Sequence, residues 1–95
     1  MEDDPAGIRL FATAERLRRM AERLLAFPDE REDVALALDA LRLDARDPDS
    51  DHPLIELYRA LHFSAGSNQM VYVGLAHRDA LLEAAMELEQ LAADS

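Results

Sequence analysis

The sequence contains no cysteine, no tryptophan and no lysine, and it has only two tyrosines and three phenylalanines. Without cysteine there is neither a disulfide framework nor a cysteine-based zinc site, and small secreted domains usually need such a cross-link. We therefore expect a cytoplasmic protein. Because aromatic residues are scarce while apolar residues make up 49% of the chain, the core has to rest on leucine and alanine, which are strong helix formers.

Long apolar runs are also missing. No run approaches the ~20 residues that a membrane span needs, and the first four residues, MEDD, are acidic where a signal peptide is basic. A chain of 95 residues can bury roughly 60–65% of its unfolded surface, which is enough for one modest core. We predict a single soluble helical domain over residues 1–95.

The charge is strongly one-sided. Twenty acidic residues oppose ten basic ones, all of them arginine, and the formal net charge is −10. A GC-rich genome or a salt-adapted protein would each produce this composition. Only the first helical segment is locally basic, and we expect its arginines to pair with acids of neighbouring helices or to be solvated: Arg16, Arg18, Arg19 and Arg23. Nucleic-acid binding is not expected, since a charge of −10 repels a duplex at long range.

Four stretches show the three- and four-residue apolar spacing of amphipathic helices. This spacing predicts an all-α fold, a small antiparallel four-helix bundle with short loops. The predicted helices cover about 5–27, 30–46, 53–65 and 68–93.

Caps and breakers set several of these boundaries. Asp4 is the expected N-cap of the first helix, and Ser50 or Asp51 the expected cap of the third. Pro53 suits a first helical turn, and Gly66 suits the position just after a helix.

The start of the last helix is ambiguous. Residues Met70 to Val73 have strand-like preferences, and Gly74 inside a helix costs about 1 kcal/mol relative to alanine. The four-three spacing nevertheless continues backward from Leu81, and a lone short strand would have no partner in this chain. We favour one helix from Asn68, with strand and loop as the alternatives for 68–74.

The stretch DARDPDSDHP, residues 44–53, resembles the start of a calcium-binding EF-hand loop in three residues only. Asp47, Asp49 and Asp51 would occupy loop positions 1, 3 and 5. Positions 6 and 12, which should be glycine and glutamate, are His52 and Tyr58. A solvated turn with helix-capping residues is the better interpretation.

No other pattern indicates a metal site or catalysis. His52, His62 and His77 lack the spacing of metal-ligand pairs, and there is no Gly-x-Ser-x-Gly elbow or phosphate-binding loop. We predict that His62 packs on Tyr58 and that His77 is a core or boundary residue, with no ligand-sized pocket around either. The expected protein has no enzymatic activity, metal, cofactor or small-molecule substrate.

Apolar surface beyond the needs of a four-helix core is the main functional signal. The second helix is apolar on two sides, Phe63 lies off the main stripe of its helix, and residues 70–73 are all apolar. Such patches usually mark partner surfaces. We predict a protein–protein interaction module, an adaptor or regulatory subunit that forms a homodimer. The predicted partner contacts are Leu36, Leu43, Phe63, Met70, Tyr72 and Val73. The alternative is that four helices bury all of these side chains.

A second function is compatible with the acidic residues between 29 and 51. Carboxylates spaced like phosphates would make the chain an inhibitor or antitoxin-like protein that mimics nucleic-acid charge and occupies a basic groove. The number of these acids is known from the sequence, whereas the distances between their carboxylates depend on the fold.

Overall fold

A computed structural model describes residues 5–67 and 69–94, and 71% of it is helical, which confirms the all-α prediction. The helices are α1 Pro5–Arg23, α2 Arg31–Ala40, α3 Pro53–Ser64 and α4 Leu75–Asp94, with a short 3-10 turn, Pro28–Glu30, before α2. Two strands of two residues each, β1 Leu25–Ala26 and β2 Val71–Tyr72, complete the described structure.

The long helices α1 and α4 pack on each other extensively. The shorter helices α2 and α3 pack on each other and against this pair. Ala14 and Ala21 of α1 and Ala84 and Ala85 of α4 are buried, and such small side chains let two helices approach closely. Leucine and alanine dominate the core, as the composition predicts, and the buried leucines are Leu17, Leu38, Leu54, Leu57, Leu61, Leu81 and Leu88.

A short antiparallel ribbon joins the end of α1 to the segment before α4. Leu25 lies opposite Tyr72, and Ala26 lies opposite Val71. The prediction of one continuous helix from residue 68 is therefore wrong, because residues 71–72 form a strand and α4 begins at Leu75. A partner strand does exist, because Leu25 and Ala26, which lie within the predicted range of the first helix, form β1. Asn68 itself lies outside the described residues.

The first helix ends at Arg23 instead of residue 27 because Leu24 adopts a left-handed backbone conformation, with φ at 58°. Its N–H still donates to the carbonyl of Met20 at 2.9 Å, but the chain then turns out of the helix. This early end releases Leu25 and Ala26 for the ribbon.

The second helix ends at Ala40 instead of residue 46 through a Schellman motif. Arg42 has a left-handed φ of 59°, and its N–H donates to the carbonyl of Asp39 at 3.1 Å. The N–H of Leu43 reaches back to the carbonyl of Leu38 at 2.8 Å. These two bonds satisfy carbonyls that the helix end would leave open, and glycine is the usual residue at the position of Arg42.

The cap of α3 also differs from the prediction. The Nδ1 atom of His52 accepts a hydrogen bond from the N–H of Leu54 at 3.1 Å, so His52 is the cap, and neither Ser50 nor Asp51 takes that place. Pro53 does open the helix, as expected. The predicted cap of α1, Asp4, lies outside the described residues.

The aspartate-rich loop before α3 is a turn, as its residues indicate. The Oδ1 atoms of Asp44 and Asp47 each accept the backbone N–H two residues on, from Arg46 and Asp49, at 2.9 and 3.0 Å. These carboxylates are therefore engaged in local turn geometry.

Four arginines of α1, Arg16, Arg18, Arg19 and Arg23, pair with acids, as predicted. Three of the bridges reach out of α1: Arg16 to Asp33 at 3.1 Å, Arg18 to Glu89 at 2.6 Å and Arg23 to Glu30 at 2.7 Å. The bond to Glu89 raises the pKa of the Arg18 guanidinium above its ordinary value. Arg19 pairs within its own helix, with Glu15 at 2.8 Å. The basic character of this helix is thus largely neutralised inside the chain.

Candidate interaction surface

The predicted partner contacts separate into two groups in the structure. Val73 is buried in the core, and Leu36 and Leu43 are half-buried against it. Phe63, Tyr72 and Met70 are exposed, with 90%, 82% and 50% of their surface open to solvent. Phe63 and Tyr72 are the two most exposed large apolar side chains in the described residues.

These exposed side chains belong to a segment with no aspartate, glutamate or arginine. Residues 60–77 contain only His62 and His77 as titratable groups besides a tyrosine, in a chain with 32% charged residues. Leu75, which is 64% exposed, lies in the same segment. The absence of aspartate, glutamate and arginine from this segment is visible in the sequence, but helical apolar spacing alone does not reveal it. We call Phe63, Met70, Tyr72 and Leu75 the uncharged surface.

Local structure explains why these side chains point outward. Successive side chains of a strand face opposite sides, so Tyr72 points away from the core while Val73 beside it points inward. On α3, Ala60 follows Glu56 by four residues and Phe63 follows Ala60 by three, so the three side chains lie on one side of the helix. This side is opposite to the buried Leu54 and Leu61.

A groove runs beside this surface. Its volume is about 480 Å³, and the side chains that line it come from α3, β2 and α4: Glu56, Leu57, Arg59, Ala60, Val71, Tyr72 and His77. The prediction that His77 would have no ligand-sized pocket near it is therefore wrong. The groove exists because α4 starts late and leaves β2 alongside α3.

Polar groups at the groove are mostly held by other parts of the chain. One guanidinium nitrogen of Arg59 donates to the backbone carbonyls of Ala45 and Asp47, at 3.2 and 2.6 Å. Nε2 of His77 lies 3.4 Å from Oε1 of Glu56, a contact that becomes an ion pair when His77 is protonated. Among the lining residues Leu57 is buried and Ala60 and Val71 are half-buried, whereas Glu56 and Arg59 are exposed. The groove therefore has an apolar interior and a polar edge, as many interfaces do.

The Nδ1 atom of His77 is buried and has no hydrogen-bond partner within the described residues. It faces Gly74, where an added Cβ would come within 3.2 Å of it. A larger residue at position 74 would crowd the ring, so this glycine lets His77 sit beside Glu56.

The three histidines have separate roles. His52 caps α3, His77 lines the groove, and the ring of His62 stacks on Tyr58 with centroids 6.2 Å apart, as predicted. Across 5–67 and 69–94, no group of three or more histidines and acidic residues is placed to hold a metal ion. Within the same ranges, no helix is long and apolar enough to cross a membrane.

The acids between residues 29 and 51 are distributed over the 3-10 turn before α2, α2 itself and the loop before α3. Arg23 and Arg16 engage Glu30 and Asp33, whereas the other seven are exposed: Asp29, Glu32, Asp39, Asp44, Asp47, Asp49 and Asp51. Asp33 differs from these, since burial raises its pKa above the ordinary value while the bond to Arg16 acts in the opposite direction.

No protein-family model, curated protein or solved structure matches the chain.

Proposed function

We propose that the chain is a protein–protein interaction module that self-associates through the uncharged surface. One observation carries the proposal: the two most exposed large apolar side chains among the described residues, Phe63 and Tyr72, both belong to the segment that is free of aspartate, glutamate and arginine, and Tyr72 lines the groove. Self-association of this kind suits an adaptor or a regulatory subunit.

The energetics favour this surface over the other exposed apolar side chains. Burying a phenylalanine fully is worth about 1.5–3 kcal/mol, but burying an unpaired charge costs more than that gain. The exposed Phe11 lies four residues before Glu15 on α1, a spacing that brings helical side chains together, and the exposed Met86 lies next to Glu87 on α4. A partner could cover the uncharged surface without removing such charges from water.

Electrostatic repulsion between two copies also favours association through the uncharged surface. Each copy carries a net charge of −10, so contacts between acidic faces are unfavourable. Two copies can approach most closely at the uncharged surface, where the carboxylate that lines the adjoining groove, Glu56, already contacts His77. We place the protein in the cytoplasm because it has no cysteine, and we propose no catalytic role, cofactor or membrane association.

Two matched serine variants test the proposal by light scattering after gel filtration. Phe63→Ser should convert a dimer of twice 10.6 kDa into a monomer, because it removes a central apolar anchor. Phe11→Ser removes an exposed phenylalanine of α1 and should leave the dimer intact. Equal loss of the dimer in both variants would remove the uncharged surface as the cause, and circular dichroism checks that both remain helical.

The exposed carboxylates favour a second candidate function, an acidic inhibitor that mimics nucleic-acid charge. Along the loop before α3, Asp47, Asp49 and Asp51 are all exposed, and Arg59 fixes the loop backbone at Asp47. A held array of carboxylates is what a basic nucleic-acid groove would recognise.

Fluorescence anisotropy with a decalysine peptide tests this second candidate. Binding should weaken strongly as salt rises from about 50 to about 500 mM. The triple variant Asp47→Asn, Asp49→Asn, Asp51→Asn should weaken binding more than a charge-matched variant of α4, Glu83→Gln, Glu87→Gln, Asp94→Asn. Equal effects would mean that only net charge matters, and the mimicry proposal would then be abandoned.

A further inference from the structure

The side-chain cap of α3 is a histidine nitrogen that acts as an acceptor. Nδ1 of His52 accepts the backbone N–H of Leu54 at 3.1 Å, and the carbonyl of His52 accepts the N–H of Glu56 at 3.0 Å. A neutral imidazole has one acceptor nitrogen and one N–H, so the bond from Leu54 places the ring proton on Nε2. An imidazolium has two N–H groups and no acceptor. The cap therefore exists only while the ring of His52 is neutral.

We propose that His52 is a proton-sensitive cap, which holds the start of α3 when its ring is neutral and releases it when its ring is protonated. Histidine is the side chain whose charge ordinarily changes between about pH 5 and about pH 8. The common capping residues serine, threonine and asparagine keep their acceptor over that range. The inference is independent of self-association, because it concerns the opposite end of α3 from Phe63.

Leu54 depends on this cap for a hydrogen-bond partner. Pro53, the first residue of α3, has no N–H, so Leu54 carries the first N–H of the helix. The first N–H groups of a helix have no carbonyl partner within the helix, and Leu54 is only 1% exposed, so water reaches its N–H poorly. A proton on Nδ1 would bring two donors face to face at the positive end of the helix dipole. The protonated ring must therefore turn away from Leu54.

The charged ring has acidic neighbours on α4. His52 lines a cleft of about 400 Å³ together with Glu83 and Glu87, which lie one turn apart on α4 and are both exposed. The other side chains that line the cleft are apolar: Leu41, Leu54, Ala80, Ala84 and Met86. A carboxylate accepts a charge-assisted hydrogen bond from an imidazolium. Glu83 and Glu87 therefore offer the protonated ring an alternative to the cap.

The loop and α3 contribute further acids near the ring. Asp51, which is exposed, precedes His52 in the chain, and Glu56 lies one turn after it in contact with His77. Arg59, the arginine of α3, donates to carbonyls of the loop. Each protonation state of His52 thus has its own partner: the first N–H of the helix for the neutral ring, and carboxylates for the charged ring.

Nuclear magnetic resonance tests the switch, because one titration reports on the ring and on the backbone separately. The nitrogen-15 shifts of the His52 ring give its tautomer and its protonation between about pH 8 and about pH 5. The protection factor of the Leu54 amide, its intrinsic exchange rate at each pH divided by the measured rate, gives the state of the cap. We expect this factor to fall about fivefold or more as the ring becomes protonated, while that of Leu61 in the same helix changes less than about twofold.

Two variants at position 52 provide the controls. His52→Asn retains a capping acceptor that does not titrate, so Leu54 should remain protected at both ends of the titration. His52→Ala has no side-chain acceptor, so Leu54 should be weakly protected throughout.

The outcomes separate the switch from other effects of acidification. A fall in Leu54 protection that follows protonation of the ring in the native chain, and is absent in His52→Asn, supports the proposal. Protection that persists after the ring is protonated overturns it, as does a ring that stays neutral down to about pH 5. An equal fall in His52→Asn, or at Leu61, would assign the change to other titrating groups or to global unfolding, and would also overturn it.

Discussion

The backbone N–H of Val73 donates to the carbonyl of Leu24 at 2.9 Å, and this bond ties the end of α1 to the segment that precedes α4. Hydrogen-bonded and non-hydrogen-bonded pairs alternate along antiparallel strands, so Leu25 and Tyr72 form a non-hydrogen-bonded pair. The N–H of Tyr72 consequently points away from β1. The ribbon fixes Tyr72 on the outside while it anchors Val73 in the core.

Val73→Pro tests the importance of this bond. Proline removes the N–H and leaves the Leu24 carbonyl without its donor, so we expect the free energy of unfolding to fall by about 2 kcal/mol or more. Tyr72→Pro removes an N–H that does not bond to β1 and should cost clearly less. Urea denaturation of both variants, with Val73→Ala as the control for lost packing, measures the difference. Equal costs at positions 72 and 73 would contradict the pairing.

Arg42→Gly should stabilise the protein. Arg42 is exposed and has a left-handed φ of 59° at the end of α2, a conformation that costs a residue with a Cβ about 1 kcal/mol and costs glycine little. We expect a gain of about 0.5–1 kcal/mol in thermal or urea unfolding. Arg46→Gly, in the following loop, removes the same charge without a left-handed φ and should give no gain. A loss of stability in Arg42→Gly would contradict the Schellman motif.

The pH dependence of stability should carry a contribution from Asp33. Burial raises its pKa in the folded protein above the ordinary value, so the folded state binds this proton more tightly than the unfolded state does. The contribution is therefore unfavourable at neutral pH and is relieved as the pH falls through the folded pKa.

Asp33→Asn isolates this effect because asparagine does not titrate. The free energy of unfolding of the native chain minus that of the variant should increase as the pH falls from about 7 to about 4. Asp29→Asn, which removes an exposed carboxylate from the turn before α2, corrects for the general loss of charge repulsion. A difference that shrinks on acidification would contradict the assignment.

Arg59 should control the order of the acidic loop, because its guanidinium donates to the carbonyls of Ala45 and Asp47. In Arg59→Ala we expect the backbone amides of Asp47, Asp49 and Ser50 to exchange with solvent at least about threefold faster, while the core amides of α1 and α4 keep their rates. Hydrogen exchange followed by mass spectrometry measures this. The control, Arg46→Ala, removes an arginine of the loop itself and should leave the rates near native; equal acceleration in both variants would contradict the role of Arg59.

The helices were predictable because their apolar side chains repeat every three or four residues, and the region around Leu17 and that around Leu81 and Leu88 show this clearly. The ribbon was not predictable in the same way, since strands of two residues have no measurable period and Leu25 and Tyr72 are far apart in sequence. The end of α2 was missed because arginine disfavours the conformation that Arg42 adopts.

The candidate site was only partly predictable. Phe63, Met70 and Tyr72 could be recognised from apolar residues outside the main helical stripes, and the structure leaves them exposed. Val73 belongs to the core because the alternation of side chains continues one residue past β2, where its N–H still donates to the carbonyl of Leu24. The groove beside α3 depends on where β2 lies, and no local pattern in the sequence contains that information.

Sedimentation equilibrium of the native chain tests self-association most directly, at concentrations from about 5 to about 100 µM and at low and high salt. We predict a weight-average mass that approaches twice 10.6 kDa at the higher concentrations. It should rise further with salt, because salt screens the repulsion between two copies of charge −10. A mass of 10.6 kDa at every concentration and both salt levels would contradict the proposal.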